Sequence, residues 1–252
     1  MRLHLLLTIA AFSCSSLAPV ANGGDVGVPD TQIQSLIFQL DNDNYKAREE
    51  ATAALWGIGE QAMPFLLDAQ TSNAPEVARR ADLLVKNIQL NLTTSSDPNI
   101  IKQVRLYSQA SSASSEEKII LSLSEMKAYE QIIKIYHYET NLQRKINLEK
   151  LIAKEGITKL AAKKALRSRG AKQAIEIVRI APRSYSTSKM LAHLLRQANQ
   201  LEAELAALKQ LPPTAQNIES QLALLQVKGD FSTIKEFAIK HNHSATLKTL
   251  AI

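Results

Sequence analysis

The sequence predicts an all-α protein built as an α-solenoid of stacked helical hairpins, and three observations carry that prediction. The first is composition: 252 residues hold eight glycines, eight prolines and only 5% aromatics, while the apolar fraction of 45% is supplied mostly by Leu, Ile and Ala. Strands favour aromatic and β-branched residues and need turn chemistry between them, so this balance points to helices. The second is periodicity, with apolar residues recurring at i, i+3, i+4 and i+7, the spacing of one helix face. The third is repetition. Ala47-Arg48-Glu49-Glu50-Ala51 aligns with Val77-Ala78-Arg79-Arg80-Ala81 at a shift of thirty residues. A helix pair repeated at that period buries its apolar face only by stacking on a neighbour.

Residues 1–23 read as a secretory signal peptide. Arg2 precedes an apolar run from Leu3 to Phe12, small residues follow, and polar GGDVGVPD comes next. The run is too short to span a bilayer. Cleavage is expected between Ala18 and Gly24, and Pro19 argues against a cut directly after Ala18. Cys14, the only cysteine, stands where a bacterial lipoprotein carries its lipidated residue, but Phe12 is bulky where such a site has a small side chain. Cys14 is therefore expected to leave with the signal, which removes disulfide and thiolate chemistry from the mature chain. The implied location is the periplasm or cell envelope.

Residues 24–95 form the first repeat region. Ile33, Leu36, Ile37 and Leu40 mark a short helix, and DNDN breaks it, because Asp and Asn favour turns and caps. Tyr45 opens a second helix with Ala47, Ala51, Ala54, Leu55 and Ile58 on its inner side, and Gly57 and Gly59 suit its end. Met63 to Leu67 give a third, with Pro64 tolerated in the first turn. After TSNAP, Pro75 opens a fourth, whose stripe is Val77, Ala81, Leu84, Val85 and Ile88.

DNDNYKAREEATAALWGIGEQAMPFLL and SNAPEVARRADLLVKNI, within residues 31–92, resemble HEAT repeats. In that family a polar turn leads into a helix carrying an arginine and a run of Ala and Leu. Arg48 matches the turn-facing arginine, and the resemblance implies pairing with a turn aspartate, Asp41 or Asp43. The second hairpin departs from the pattern, with Ala78 at the matching position and Arg79 one place on, either substituting or facing water. The resemblance implies a protein-binding or stacking scaffold, and it brings no catalytic residues.

Residues 96–252 continue in helical style. NLTTSSDPN reads as a linker, and SQASSASSEEK as a second break with Ser115 a candidate cap before Glu116 and Glu117. Residues 117–139 read as helix with a break near Met126. TNLQRKINLEKLIAKEG gives a turn and a helix with Arg144 near its start, a degenerate echo of the earlier layout. Around Gly170 with Ala174 and Ala181, and around Gly229-Asp230-Phe231, the sequence resembles tetratricopeptide-type hairpins, where small residues let paired helices pack closely. LPPTAQ marks a loop. The apolar ending ATLKTLAI leaves open a truncated product, a docking surface or a helix that folds back.

The formal charge is +6, unevenly spread. Gly24–Ser95 holds ten acids against five bases, a balance of −5, and Ser96–Ile252 holds fourteen acids against twenty-four bases, a balance of +10. Such asymmetry bears on partners and not on fold. Lys159, Lys163 and Arg167 recur every four residues, with Lys164, Arg169 and Lys172 close by, then Arg179 and Arg183; Glu176 is the only acid in that stretch. This is the candidate contact surface, suited to an acidic protein or another polyanion. Aromatic interleaving is poor, so base stacking is not suggested, and export argues against intracellular nucleic acid.

No motif announces catalysis. GxSxG, HExxH and a P-loop are lacking, and DNDN lacks the spacing and closing glutamate of a calcium loop. His137 and His193 read as packed or surface side chains, and His241 with His243 as a polar turn, since a metal needs three or four ligands. The expectation is a non-catalytic scaffold with no cofactor and no metal. The alternative is a polyanion-binding envelope protein using the face from Lys159 to Arg183.

Overall fold

A computed structural model describes residues 27–249. The signal-peptide and Cys14 readings, and the last three residues, lie outside the described residues. Among those described the protein is all-α, with no strand. Helices pack in successive pairs, which is compatible with a helical-repeat solenoid.

The first four helices are α1 (Asp30–Gln39), α2 (Tyr45–Ile58), α3 (Met63–Ala69) and α4 (Pro75–Gln89), with a short 3₁₀ turn at Gly59–Ala62. Their limits follow from the residues that sit there. The Asn44 side chain accepts from Lys46 N and caps α2. Gly59 ends that helix at φ 71°, a positive value that suits a residue without Cβ. Pro64 and Pro75 stand in first turns, where a missing N–H costs nothing. Helices α2 and α4 start thirty residues apart, as the sequence shift requires. α1 packs on α2 and α3, and α4 packs on α2 and α3, so two hairpins stack.

The chain continues through α5 (Pro98–Gln109), α6 (Ala113–Glu125), α7 (Tyr129–Tyr138), α8 (Leu142–Lys154), α9 (Ile157–Arg169) and α10 (Ala171–Ile180), then α11 (Tyr185–Gln197), α12 (Leu201–Lys209), α13 (Ala215–Lys228), α14 (Phe231–Lys240) and α15 (Ser244–Thr249). The stretch read as a linker already enters α5 at its end: Asp97 caps Asn99 N at 2.8 Å, and Pro98 takes the first helical position. The cap of α6 is Ser112 and not Ser115. The Ser112 hydroxyl accepts from Ser115 N, because its extended backbone (φ −140°, ψ 148°) aims the side chain at the third amide of the helix. The break near Met126 is present, between α6 and α7. Helix α9 lies most closely on α10 and also meets α7, α8 and α11. Ala161, Ala165 and Ala174 are buried there, small enough to let the backbones approach across the turn at Gly170.

Two hydrophobic clusters form the core. One runs from Ile33 to Ile88 and the other from Leu92 to Ala238. Trp56 packs against both, and its Nε1–H donates to the Leu92 carbonyl at 2.6 Å. No described helix is long and apolar enough to cross a membrane.

Candidate functional site

Helix α9 carries five cations (Lys159, Lys163, Lys164, Arg167, Arg169) and no acid. Its alanines face the core, so the cations are turned outward, and all five are exposed, as is Lys172 on α10. Neighbouring like charges at i, i+4 repel by about 0.2–0.5 kcal/mol per pair. Other cations of the molecule have acids at that spacing, such as Lys86 with Asp82 at 2.7 Å and Lys46 with Glu50 at 3.7 Å. The exposed face of α9 has no such offset within the helix.

The structure divides the six candidate residues. Lys163, Lys164 and Arg167 line one shallow groove of about 450 Å³ together with Leu160, Ser168, Tyr129 and Lys127. Arg169 is engaged elsewhere, as an ion pair with Glu130, which also accepts from Asn91 Nδ2 at 2.9 Å. Lys159 and Lys172 are exposed outside the groove. Lys127, from the turn between α6 and α7, and Tyr129, the first residue of α7, are not among the candidates read from sequence, and α7 packs against α9. Lys164 Nζ donates to the Lys127 carbonyl at 2.9 Å and ties that turn to the helix. Four cations thus converge on the groove, and no carboxylate lines it.

The repeat arginine Arg48 behaves differently from what the resemblance implied. It makes no ion pair with Asp41 or Asp43. Its Nη1 donates to the backbone carbonyls of Asn42 at 2.6 Å and Asp43 at 3.1 Å, and its Nε lies 3.9 Å from Glu76. The turn curls its carbonyls toward the guanidinium, so the backbone supplies the acceptors and the two aspartates do not. In the second hairpin, Arg79 is an exposed side chain bridging to Glu76 within one turn, at 2.9 Å. The buried arginine is Arg80, 6% exposed, bound to Glu76 at 2.6 Å, to Glu49 at 2.8 Å and to Thr52 Oγ1 at 2.9 Å. Hydrogen bonds from Arg79 and then Arg80 hold the Glu76 carboxyl down at about 2, against the ordinary 4.5.

Arg144, in the first turn of α8, gathers a second cluster. Its Nη2 donates to the Tyr107 carbonyl at 2.8 Å, its guanidinium lies 4.4 Å from the Tyr107 ring centre, and its Nε is 3.2 Å from one oxygen each of Glu116 and Glu139. Those last contacts are ion pairs and not hydrogen bonds, because the N–H is not aimed at either oxygen. The Tyr107 hydroxyl donates to Glu139 at 3.2 Å, and burial pushes its ionisation up to about 12. Tyr107, Glu139 and Arg144 also line a wider groove, about 710 Å³, between α4, α5 and the α7–α8 turn. Charges of both signs line that groove, including Asp82, Lys86 and Arg105, so it has no single polarity.

No group of three or more metal-ligating side chains occurs among the described residues. His243 Nδ1, just before α15, faces Thr246 within that helix, 2.9 Å from its hydroxyl. Comparison with family models, with curated proteins and with solved structures finds no match to this chain.

Proposed function

We propose that this protein is an exported, non-catalytic interaction scaffold, with HEAT-like hairpins followed by tetratricopeptide-like ones, and that it binds an acidic protein partner through the exposed face of α9. The observation that supports this reading is the convergence of Lys127, Lys163, Lys164 and Arg167 on one groove that no carboxylate lines. A cationic surface without internal counter-charge gains most from an acidic partner, which both relieves its self-repulsion and speeds encounter. The Arg80 and Arg144 clusters are structural in this reading. They lock adjacent helices together so that the face is presented in one geometry.

The test is charge reversal. A partner cross-linked to the wild-type protein in its native cell is expected to be lost with Lys163→Glu/Arg167→Glu, while circular dichroism and melting stay unchanged. A partner retained by the folded double variant sinks the proposal. Export is tested by the intact mass of the protein from that cell, expected to start between Pro19 and Asp25.

A second reading is favoured by the same absence of carboxylates: the groove takes a non-protein polyanion. Its mark is a log–log fall of affinity with salt whose slope tracks the number of cations engaged. Linear polyphosphate binding with no salt slope, or unaltered by the double reversal, excludes it.

A further inference from the structure

Eight described residues have positive φ, and seven of them are the residue types that tolerate it: Gly59, Gly156, Gly170 and Gly229, and Asn91, Asn199 and Asn242. The eighth is Lys127, at φ 57°. It ends α6 in a two-bond C-terminal motif, with Ala128 N donating to the Leu123 carbonyl at 2.9 Å and Lys127 N to the Ser124 carbonyl at 2.9 Å. Asn91 ends α4 in the same way, with Leu92 N on the Asn87 carbonyl and Asn91 N on the Ile88 carbonyl, both at 2.9 Å. Asn199 does so after α11, through Gln200 N on the Leu195 carbonyl at 2.8 Å. Where this motif recurs the fold places asparagine, or glycine at Gly229 after α13, and it carries a lysine only where the residue borders the α9 groove. A residue type poorly suited to its backbone, at a position that borders a candidate site, points to a role outside stability.

Resting on the reading of the α9 face as a partner surface, we infer that Lys127 is a binding residue, and that it completes a site for an acidic, helical protein segment carrying a leucine-like side chain between its carboxylates. Three features define that ligand. Lys163 and Arg167 are four residues apart, a rise of about 6 Å along the helix. Glutamates at i and i+4 of a partner helix have the same spacing and meet them one to one. Lys127 borders the groove from the α6–α7 turn, whose backbone the Lys164–carbonyl bond ties to α9, and so adds a cation from outside that helix. Leu160, 39% exposed, and half-buried Tyr129 give the groove an apolar floor, which a carboxylate-bearing peptide can use and a bare phosphate chain cannot. The acids nearest Lys127 in sequence, Glu125 and Glu130, do not line the groove, and Glu130 is already paired with Arg169.

The experiment uses the full chain and a synthetic helical peptide with glutamates at i, i+4 and i+8 and leucines between them. Controls are the same peptide with glutamine for glutamate, and a single-stranded oligonucleotide. Lys127→Asn is expected to raise Tm by about 2–4 °C, the shift that relief of roughly 1 kcal/mol of left-handed strain gives a chain of this size. It is also expected to weaken binding of the acidic peptide at least five-fold. The glutamine peptide should not bind. If Lys127→Asn stabilises without changing affinity, while Lys163→Glu/Arg167→Glu abolishes binding, the role of Lys127 is overturned and the α9 partner surface survives. If neither variant alters peptide binding, or the peptide does not bind, both fall. An oligonucleotide that binds more tightly than the peptide overturns the assignment of a protein ligand.

Discussion

Arg48 and Arg144 both stand near the start of their helices, as the fourth residue of α2 and the third of α8, and serve different ends. Each donates to backbone carbonyls and lies over a tyrosine ring, Arg48 at 5.6 Å from Tyr45 and Arg144 at 4.4 Å from Tyr107. Around Arg48 the cations are in excess: Glu76 is shared by Arg79 and Arg80, with Arg48 at its edge. Around Arg144 the carboxylates are in excess, one guanidinium between Glu116 and Glu139. Arg48 closes its own turn, whereas Arg144 reaches back 37 residues to α5. The same local layout thus serves a local cap in one region and a three-helix lock in the other. What differs is the partner that packing brings to it.

The sharpest way to break the comparison is to remove each region's key arginine. Arg144→Met leaves two carboxylates, each only 11% exposed at the side chain, without a counter-charge. Urea unfolding is expected to show a loss of about 3 kcal/mol, at the low end for a broken buried pair because Arg144 itself keeps some solvent contact. Arg80→Met is expected to cost less, about 2 kcal/mol, since Glu76 keeps Arg79 and Glu49 is half-exposed. Equal losses would mean that the excess sign does not matter and that both arginines act only as packing.

Next in size come the two ends of the pH scale. The Glu76 carboxyl is depressed from 4.5 to about 2, so its stabilisation is present above pH 4.5 and is lost as pH falls toward 2. Tyr107 is raised from 10 to about 12, so its contribution is present below pH 10 and is lost as pH rises toward 12. Glu76→Gln should therefore flatten only the acid limb of the urea midpoint against pH, and Tyr107→Phe only the alkaline limb. Salt should weaken the acid-limb effect, because Glu76 is 33% exposed at the side chain, and leave the buried phenol's limb unmoved. A flat acid limb in the wild type would remove Glu76 from the account.

The smallest expected effect lies at the seam. Trp56→Phe keeps the ring against both core clusters but removes the bond to the Leu92 carbonyl, at an expected cost of about 1 kcal/mol. Two separate unfolding transitions in this variant, against one in the wild type, would show that the bond couples the two clusters. A single unchanged transition would place the coupling elsewhere.

Much of the fold was legible because its signals are local. The prolines at 64 and 75, the glycine at 59, the break at Met126 and the thirty-residue shift each act within a few residues of themselves, and helices appear where they point. The row Lys163, Lys164 and Arg167 was legible for the same reason, since four-residue spacing on a helix is a statement about one face. The cap of α6 was misread by three residues within a serine-rich run where each hydroxyl offers the same chemistry, and only the extended backbone of Ser112 selects one. Asp41 and Asp43 were the wrong acceptors for Arg48 because carbonyl direction, set by the turn, is not written in side-chain identity.

By itself, then, the sequence determined that the chain is helical, where the first four helices lie and where several later breaks fall, that two hairpins repeat, and that Lys159, Lys163 and Arg167 share one helix face. Tertiary structure decided which charges meet: Arg80 with Glu49 and Glu76, Arg144 with Glu116, Glu139 and Tyr107, and Lys127 with the cations of α9. The physical reason is range. Helix propensity, capping and face periodicity are settled over one or two turns of chain, while a guanidinium chooses its partners from whatever the stacking of distant helices places within hydrogen-bond reach.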